Sequence, residues 1–384
     1  MKKKLVSISL IILTILTSIT VYGDGDIEIN SDSALLMDYN SGEIIYEKNM
    51  DQKVNPASIT KVMTLLLTME ALDSNKIKLS DKVNISEYAS SMGGTQLYLD
   101  VGETQSVESL IKAISIRSAN DAAVALGEFI AGSNESFIKM MNNRAQELGM
   151  KSTNFTNSTG LPKENHYTTA YDIAIMSKEL LKHEDIHDYL STYMEEIDVG
   201  KNKKSTQTMV NTNKLIKSYD GITGIKTGFT NKSKHCISAS AKRDELHLIA
   251  VVMGAESSEI RFTSAEKLLD YGFSNYKSVS IGQKGDTIST IPVEKGNVNS
   301  VEIVMEESSS ILLPKDDDYN IDKVIDHPKY IKAPTNRNHV VGKLKILVNN
   351  KVVDSVNLIT KNSVQENKLI DMVNKSVQNF LFNK

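Results

Sequence analysis

The pattern of apolar residues changes at Tyr276, and no other feature constrains the fold as strongly. From about residue 27 to residue 276, segments with helical periodicity alternate with runs typical of β-strands. Beyond Tyr276, short segments alternate apolar and polar residues between Gly, Asn and Asp turns, which favours β-structure. We therefore expect a mixed α+β domain over residues 24–276 and a small β-sandwich domain over residues 277–360.

Composition excludes several classes of protein. The 384-residue chain carries 44 Lys and Arg against 48 Asp and Glu, so it lacks the basic surplus typical of nucleic-acid-binding proteins. Its one cysteine, Cys236, permits neither an intrachain disulfide nor a zinc cluster built on cysteines. Because its neighbours are small or apolar, we expect Cys236 to pack within a central strand. We predict no cofactor and no nucleic-acid partner.

Residues 1–23 have the layout of a secretory signal peptide. Three lysines follow Met1, an apolar run extends from Leu5 to Val21, and Gly23 precedes an acidic stretch. An uncleaved membrane anchor is the alternative, although the run is short for a span of about 20 residues. We expect cleavage near Gly23 and an exported, extracytoplasmic protein.

Residues 361–384 return to helical periodicity. Apolar residues from Val364 to Phe382 gather on one side, and lysines and amides face the other. Such a helix is too short and too polar to cross a bilayer, but it can lie in the membrane interface. Docking on the β-rich domain is the alternative. We expect this tail to hold the protein peripherally on the outer face of the cell membrane.

Three short motifs could form one catalytic site. They are Ser-x-x-Lys at Ser58–Lys61, Ser-x-Asn at Ser118–Asn120 and Lys-Thr-Gly at Lys226–Gly228. Together they are the motifs of the penicillin-recognising serine acyltransferases. Each is weak alone, because Ser-x-x-Lys and Ser-x-Asn recur in the chain, the former at Ser58, Ser136, Ser264 and Ser274, the latter at Ser118, Ser152 and Ser355.

Helical context selects Ser58 among its copies. Residues 58–72 are apolar almost all round, so we predict a buried helix in which Lys61 lies one turn from Ser58. Burial lowers the pKa of a lysine, and a neutral lysine can take the proton of an attacking serine. Free N–H groups at the helix start could hold the oxyanion. The alternative is that Ser58 only caps the helix while Lys61 extends to solvent.

The other two motifs could complete the site. Ser118 and Asn120 precede a helix, where they could be simple caps or could lie beside Lys61 and relay protons. The segment Lys226–Phe229 is typical of a strand, and Gly228 would let another backbone approach closely. Its lysine and threonine offer donors to an anion. An ordinary polar edge strand is the alternative.

Longer strings around these motifs resemble one family. The strings are Pro56–Thr64, Ser118–Leu126, Glu147–Met150, Asn157–Pro162, His166–Asp172, Asn211–Leu215 and Gly224–Thr230. They are similar to the D-alanyl-D-alanine carboxypeptidases, low-molecular-mass penicillin-binding proteins of the serine type. The resemblance is dense over about residues 28–276 and looser beyond. It implies a penicillin-binding transpeptidase-like domain, with an antiparallel sheet flanked by helices.

The resemblance also implies a role for each motif residue. Ser58 would be the nucleophile and Lys61 its base, and the further catalytic residues would be Ser118 and Asn120. The substrate-binding residues would be Lys226, Thr227, Gly228, Phe229 and Arg261. The backbone N–H groups of Ser58 and Phe229 would form the oxyanion hole. The arginine suits a terminal carboxylate because its guanidinium can donate two parallel hydrogen bonds.

The activity implied is the removal of terminal D-alanine from peptidoglycan stem peptides ending in D-Ala-D-Ala, through an acyl-enzyme that β-lactams also form. A class A-like β-lactamase is one alternative, but Glu164 lacks the usual spacing to an asparagine. A non-catalytic cell-wall-binding protein with a degenerate site is the other. It is favoured only by Ser233-Lys234, which adds bulk and charge where the family commonly has Ala-Gly.

A competing motif lies at His183–His187, which matches the His-Glu-x-x-His signature of zinc proteases. Its flanks, Lys182 and Asp188, indicate an exposed segment and not a buried cleft. We therefore predict no metal site.

Overall fold

A computed structural model describes residues 27–201 and 205–367 of the chain. The predicted signal peptide lies outside the described residues, and so do residues 368–384 of the predicted tail. The described part of the tail differs from the prediction: residues 361–367 are not helical, and Val364 is buried in the core of the β-rich domain. Within the described ranges, no helix is both long enough and apolar enough to cross a membrane.

The first domain is built around a five-stranded antiparallel sheet with the order β2-β1-β9-β8-β7. Two further antiparallel pairs, β3–β4 and β5–β6, stand apart from it. The strands of this domain are β1 (Ser33–Asp38), β2 (Ile44–Lys48), β3 (Lys82–Asn84), β4 (Thr104–Ser106), β5 (Met194–Val199), β6 (Ser205–Val210), β7 (Ile222–Thr230), β8 (Lys234–Arg243) and β9 (Leu246–Ala255).

Helices cover both faces of this sheet. They are α1 (Lys61–Asp73), α2 (Glu87–Ser90), α3 (Val107–Lys112), α4 (Asn120–Ala131), α5 (Asn134–Glu147), α6 (Ala170–Leu180), α7 (Ile186–Ser191), α8 (Leu215–Ser218) and α9 (Ser258–Asn275). Successive residues of a strand point to opposite faces, so Val251 joins the core around α1 while Val252 joins the core around α9. Both faces of β9 are therefore buried, which explains its nearly continuous apolar sequence.

The predicted buried helix at Ser58 is confirmed, with one difference in its first turn. Residues 57–60 form a 3₁₀ turn, and the α-helix begins at Lys61. Every residue of α1 from Lys61 to Met69 is buried. Because α1 runs between the sheet and the other helices, an all-round apolar sequence is what its surroundings require.

The second domain consists of β-strands. They are β10 (Tyr276–Gly282), β11 (Thr287–Glu294), β12 (Ser300–Met305), β13 (Ser309–Pro314), β14 (Ile321–Asp326), β15 (Ile331–Lys332), β16 (Val340–Val348) and β17 (Lys351–Thr360). Six of them form a sheet of order β14-β16-β17-β12-β11-β15, and β10 pairs with β13. The predicted fold class, a transpeptidase-like domain followed by an all-β domain, is confirmed.

Local turn chemistry agrees with the strand prediction in this domain. Asn349 and Asn350 join β16 to β17 and have φ angles of 50° and 65°. Asparagine tolerates this left-handed region, and a two-residue turn of this kind matches the twist of a hairpin. By contrast, no sequence pattern predicts the β5–β6 hairpin. The helical periodicity of Ser264–Tyr271 predicts only the middle of α9, which extends further at both ends.

Candidate active site

Ser58 is held at the front of the buried helix by a strained turn. Its neighbour Ala57 has a φ of 48°, which is unusual for a residue with a side chain. Gly160 packs directly on this turn, since a Cβ at Gly160 would lie 1.7 Å from the Ala57 carbonyl oxygen. The hydroxyl of Thr60 donates to the same carbonyl over 2.9 Å. These contacts fix the direction of the Ser58 side chain.

Lys61 contacts Ser58 and is completely buried. Its Nζ donates to Ser58 Oγ at 3.1 Å, to Asn120 Oδ1 at 2.6 Å and to the Thr159 carbonyl oxygen at 2.7 Å. None of these partners carries a charge. The site therefore gives the ammonium three acceptors but no counter-charge in direct contact.

This environment lowers the pKa of Lys61 well below its ordinary value. Burial is the largest cause, and the positive charge of Lys226 acts in the same direction. The carboxylate of Asp121 opposes the shift but does not reverse it. A neutral Lys61 can accept a proton from Ser58.

Asn120 contacts Lys61, and Ser118 lies two residues before Asn120 in the chain. A π-helical turn over residues 113–117 ends at Ser118, whose φ of 68° turns the chain sharply into α4. The Nδ2 group of Asn120 donates to the Gly93 carbonyl oxygen at 2.6 Å, so its Oδ1 faces Lys61. The Ser118 Oγ atom is buried and has no hydrogen-bond partner among the described residues.

Strand β7 forms a third wall. A Cβ at Gly228 would lie 3.1 Å from the Ser58 nitrogen and 3.0 Å from the Ala57 Cβ, so glycine allows the strand to approach Ser58. The Thr227 hydroxyl donates to Thr212 at 2.7 Å. Lys226 is 1% exposed, and its only side-chain hydrogen bond within the described chain is to the Thr227 carbonyl oxygen at 3.2 Å.

Lys226 and Arg261 form a pair of buried cations. Burial and the charge of Arg261 lower the pKa of Lys226 to about 7, and burial lowers the pKa of Arg261 to about 10. The Arg261 guanidinium donates to the carbonyl oxygens of Gly228 and Cys236, both at 3.4 Å, while its Nε has no partner in the described structure. Two cations with unfilled hydrogen-bonding capacity suit an anionic group of a ligand.

Phe229 stands at the mouth of the site. Its side chain is 54% exposed, and its ring centroid lies 4.4 Å from that of His235. Ser233, which stands where the family commonly has a smaller residue, is buried, and its hydroxyl donates to Asn55 Oδ1 at 2.8 Å. Lys234 pairs with Glu256 at 2.7 Å and with Asp32 at 3.5 Å, so carboxylates compensate its charge.

Several supporting residues had no role in the sequence interpretation. The buried Asp121 carboxylate accepts hydrogen bonds from the backbone of Leu97 and Leu99, which secures the loop that contacts Asn120. His166 contacts the Thr60 hydroxyl at 2.8 Å, and burial lowers the pKa of His166 to about 4. Asp121, Gly160 and His166 all lie within the strings that resemble the family, but an aspartate at a helix start is also typical of a cap, so the pattern assigned it no separate role.

The His183–His187 motif does not form a ligand pair on one helix. His183 lies in a turn before α7, and its Nδ1 is 2.6 Å from the Asp73 carboxylate. The Nε2 of His187 is 3.0 Å from the Leu181 carbonyl oxygen. In the part of the chain that the structure describes, no three His, Cys, Asp or Glu side chains cluster in a way that could hold a metal ion.

The fold around this arrangement defines the class: penicillin-binding, transpeptidase-like serine hydrolases. Comparison with protein families narrows it further. Residues 20–257 match the model of the D-alanyl-D-alanine carboxypeptidases, and residues 276–366 match that of the penicillin-binding protein 5 C-terminal domain. The chain belongs to the D-alanyl-D-alanine carboxypeptidase family.

Individual relatives agree with this assignment. The D-alanyl-D-alanine carboxypeptidase DacF of Bacillus subtilis is 42% identical over 90% of this chain and 88% of that protein. Penicillin-binding protein 5 of Haemophilus influenzae has a TM-score of 0.75 and 32% identity, covering 90% of this chain and all of that one. The ampicillin-bound penicillin-binding protein D2 of Listeria monocytogenes has a TM-score of 0.58 and 31% identity, covering 65% and 99%.

Proposed function

We propose that this enzyme removes the terminal D-alanine from peptidoglycan stem peptides ending in D-Ala-D-Ala, with Ser58 as the nucleophile. The observation that carries the proposal is the environment of Lys61. Its Nζ contacts Ser58 Oγ at 3.1 Å, and its other hydrogen-bond partners are uncharged oxygens. A lysine in this position can be neutral and accept the serine proton near neutral pH.

Acylation then forms one bond, from Ser58 Oγ to the acyl carbon, and breaks another, from that carbon to the terminal D-alanine. Ser58 Oγ attacks the carbonyl carbon of the penultimate D-alanine, and its proton passes to Lys61. The backbone N–H groups of Ser58 and Phe229 are the proposed donors to the oxyanion. The bond to the terminal D-alanine breaks as the departing nitrogen takes a proton. Ser118 is proposed to relay this proton, because its buried Oγ has no hydrogen-bond partner in the described structure.

Deacylation repeats the proton transfers with water. Water attacks the acyl carbon, Lys61 accepts a proton, and Ser58 recovers its hydrogen as the shortened peptide leaves. A β-lactam would acylate Ser58 by the same attack, but its leaving nitrogen stays attached to the acyl group. That attached group hinders the entry of water, so β-lactams act as inhibitors.

Lys226, Thr227 and Arg261 are the proposed binding residues for the terminal carboxylate of the peptide. Both cations are buried, and no described carboxylate forms an ion pair with either of them. An incoming carboxylate would supply the missing negative charge and use the guanidinium fork. Asn120 would hold the Lys61 side chain in line with Ser58.

The proposed location is the outer face of the cell membrane. The signal-peptide pattern of residues 1–23 supports export, and the amphipathic pattern of residues 361–384 supports peripheral attachment. In this proposal, residues 24–276 are the catalytic unit and residues 277–360 separate it from the attached tail.

The test uses the purified mature protein, fluorescent penicillin and a peptide ending in D-Ala-D-Ala. We expect the wild type to be labelled and to release D-alanine, and Ser58→Ala to do neither. Ser136→Ala is the matched control, because Ser136 is exposed and also precedes a lysine by three residues. Labelling that persists in Ser58→Ala would show that Ser58 is not the nucleophile. Labelling of the wild type without D-alanine release would contradict the proposed activity.

A further inference from the structure

The C-terminal domain carries a segregation of charge that the proposed reaction does not use. Residues 327–353 contain six Lys or Arg and no acidic residue, whereas residues 316–326 contain five Asp and one Lys. Charges mixed at random would not divide this way. Where β14 pairs with β16, the two segments meet and Lys345 contacts Asp326, so the unpaired positive charge of interest lies in residues 329–339.

Part of the basic segment forms an open groove of about 600 Å³, lined by Pro328, Lys329, Tyr330, Ile331, Lys332, Thr335 and His339. Strand β15 fixes the direction of these side chains. Ile331 and Ala333 are buried in the core of the domain, so the intervening Lys332 points outward. We call the exposed side chains of Lys329, Tyr330, Lys332, Arg337 and His339 the basic surface.

Only two of the described lysines of this domain form ion pairs. Lys345 pairs with Asp326 at 2.9 Å, and Lys361 pairs with Glu302. None of Lys329, Lys332 and Arg337 forms an ion pair with any residue in the ranges 27–201 and 205–367. Glu294 is the register partner of Lys332 on β11 but forms no ion pair with it, so all three cations can bind an anionic partner.

The chain leaves the described structure beside this surface. After β17, Val364 and Thr335 exchange backbone hydrogen bonds of 2.8 and 2.9 Å, and the Asn367 N–H donates to the Lys295 carbonyl oxygen. Residues 361–367 therefore run along the segment that bears the basic surface. The predicted membrane-interface segment starts from this end of the domain.

We propose that the basic surface binds the anionic headgroups of a lipid membrane. Three exposed cations without an ion pair complement headgroup phosphates, and Tyr330, which is 47% exposed, is suited to the boundary between water and lipid. This inference rests on the proposed membrane location, and it assigns part of the membrane contact to the β-domain itself. It requires that the domain face the lipid with this side, in addition to any attachment by the tail.

The test measures co-sedimentation of the mature full-length protein with vesicles. One set contains equal amounts of phosphatidylglycerol and phosphatidylcholine, and the other phosphatidylcholine alone. The test variant combines Lys329→Gln, Lys332→Gln and Arg337→Gln. The control variant combines Lys76→Gln, Lys78→Gln and Lys151→Gln, which removes the same charge from exposed sites of the other domain.

We expect the test variant to bind anionic vesicles at least about tenfold more weakly than the control, because each basic residue near an anionic surface contributes substantially. The difference should disappear on phosphatidylcholine and shrink at high salt. Equal binding of the two variants would overturn the proposal. The proposal would also be overturned if the test variant lost binding only to insoluble cell-wall polymer and not to vesicles, because the basic surface would then bind the wall.

D-alanine release separates this proposal from the proposed activity. Both triple variants should release D-alanine at the wild-type rate, because none of the six residues lies in the active site. If the wild type released no D-alanine while the vesicle difference persisted, the proposed activity would fail and the membrane contact would stand. A repeat with chains ending at Asn367 should retain the difference, at lower total binding, if the domain itself contacts lipid.

Discussion

The two domains treat polar groups in opposite ways. The first domain buries Lys61, Lys226 and Arg261 around one site. Beyond Tyr276, the buried polar side chains of the described chain are those of Thr335 and Thr360, and every charged side chain there remains at least partly accessible. The core of the second domain is otherwise apolar. The comparison teaches that, within the described residues, buried lysine and arginine side chains are confined to the first domain, and all three lie at the candidate site.

That burial has a measurable cost. The pKa of Lys226 is lowered to about 7, a shift that corresponds to roughly 5 kcal/mol against its charged form. The strained Ala57 turn adds to the cost of the first domain. Two apolar cores flank the sheet and offset these terms. The second domain has no such site and closes with one small core.

The largest effect should come from removing the buried base. Lys61→Met replaces the amine with an apolar group of similar length, and we expect acylation by penicillin to fall by about 10²–10⁴-fold. Stopped-flow labelling measures the rate, and circular dichroism checks that the fold persists. Near-wild-type acylation by a folded variant would show that Lys61 is structural. The burial of cations in the first domain would then have no connection with catalysis.

Arg261→Ala should weaken recognition of the carboxylate. A charge-assisted hydrogen bond contributes about 1.5–3 kcal/mol, so kcat/KM for the peptide should fall about tenfold to a hundredfold. Acylation by an esterified β-lactam that lacks the free carboxylate is the matched measurement and should change little. Equal losses on both ligands would mean that Arg261 supports the sheet and does not bind the substrate.

The pH dependence of peptide turnover should show the titration of Lys226. Below pH 7 this lysine is protonated and can hold a carboxylate. Above its pKa of about 7 it becomes neutral, so kcat/KM should fall up to about tenfold per pH unit, mainly through KM. Lys226→Arg keeps the cation and should remove this alkaline decline. A wild-type profile that stays flat from pH 7 to 9 would contradict the assignment.

The smallest effect on activity should come from the second domain. Ile346→Ala empties a fully buried position of β16 and should lower the free energy of unfolding by about 2–5 kcal/mol. Penicillin acylation by the folded variant should stay within about twofold of wild type, because no catalytic group touches that core. Leu65→Ala, equally buried on the helix of Lys61, is the comparison and should reduce both stability and acylation. Similar behaviour of the two variants would break the distinction between the domains.

Much of the fold follows from the sequence. The all-round apolar stretch after Ser58 predicts a buried helix, and Asn349-Asn350 predicts a hairpin, because periodicity and turn chemistry act over a few residues. The β5–β6 hairpin was missed. Its strands show the mixed burial of a peripheral pair, so their sequence lacks the apolar run that identifies a strand.

The sequence predicted which motifs form the candidate site, but not the distances and contacts between them. By itself, the sequence determined that Ser58 and Lys61 share one turn, because three residues of helix bring two side chains together. The apolar helix favours this pair over its copies, and the tertiary structure agrees, since Lys61 is buried whereas Lys139 and Lys267, which follow Ser136 and Ser264, are exposed.

Tertiary packing also decided which distant groups surround Lys61. Asn120 reaches its Nζ across 59 residues of chain, and the Thr159 carbonyl reaches it across 98. Burial, which lowers the pKa of Lys61, depends on every element packed around α1. Residue order specifies neighbours along a helix or strand, whereas contacts between elements and the desolvation they produce arise only when the domain closes around its core.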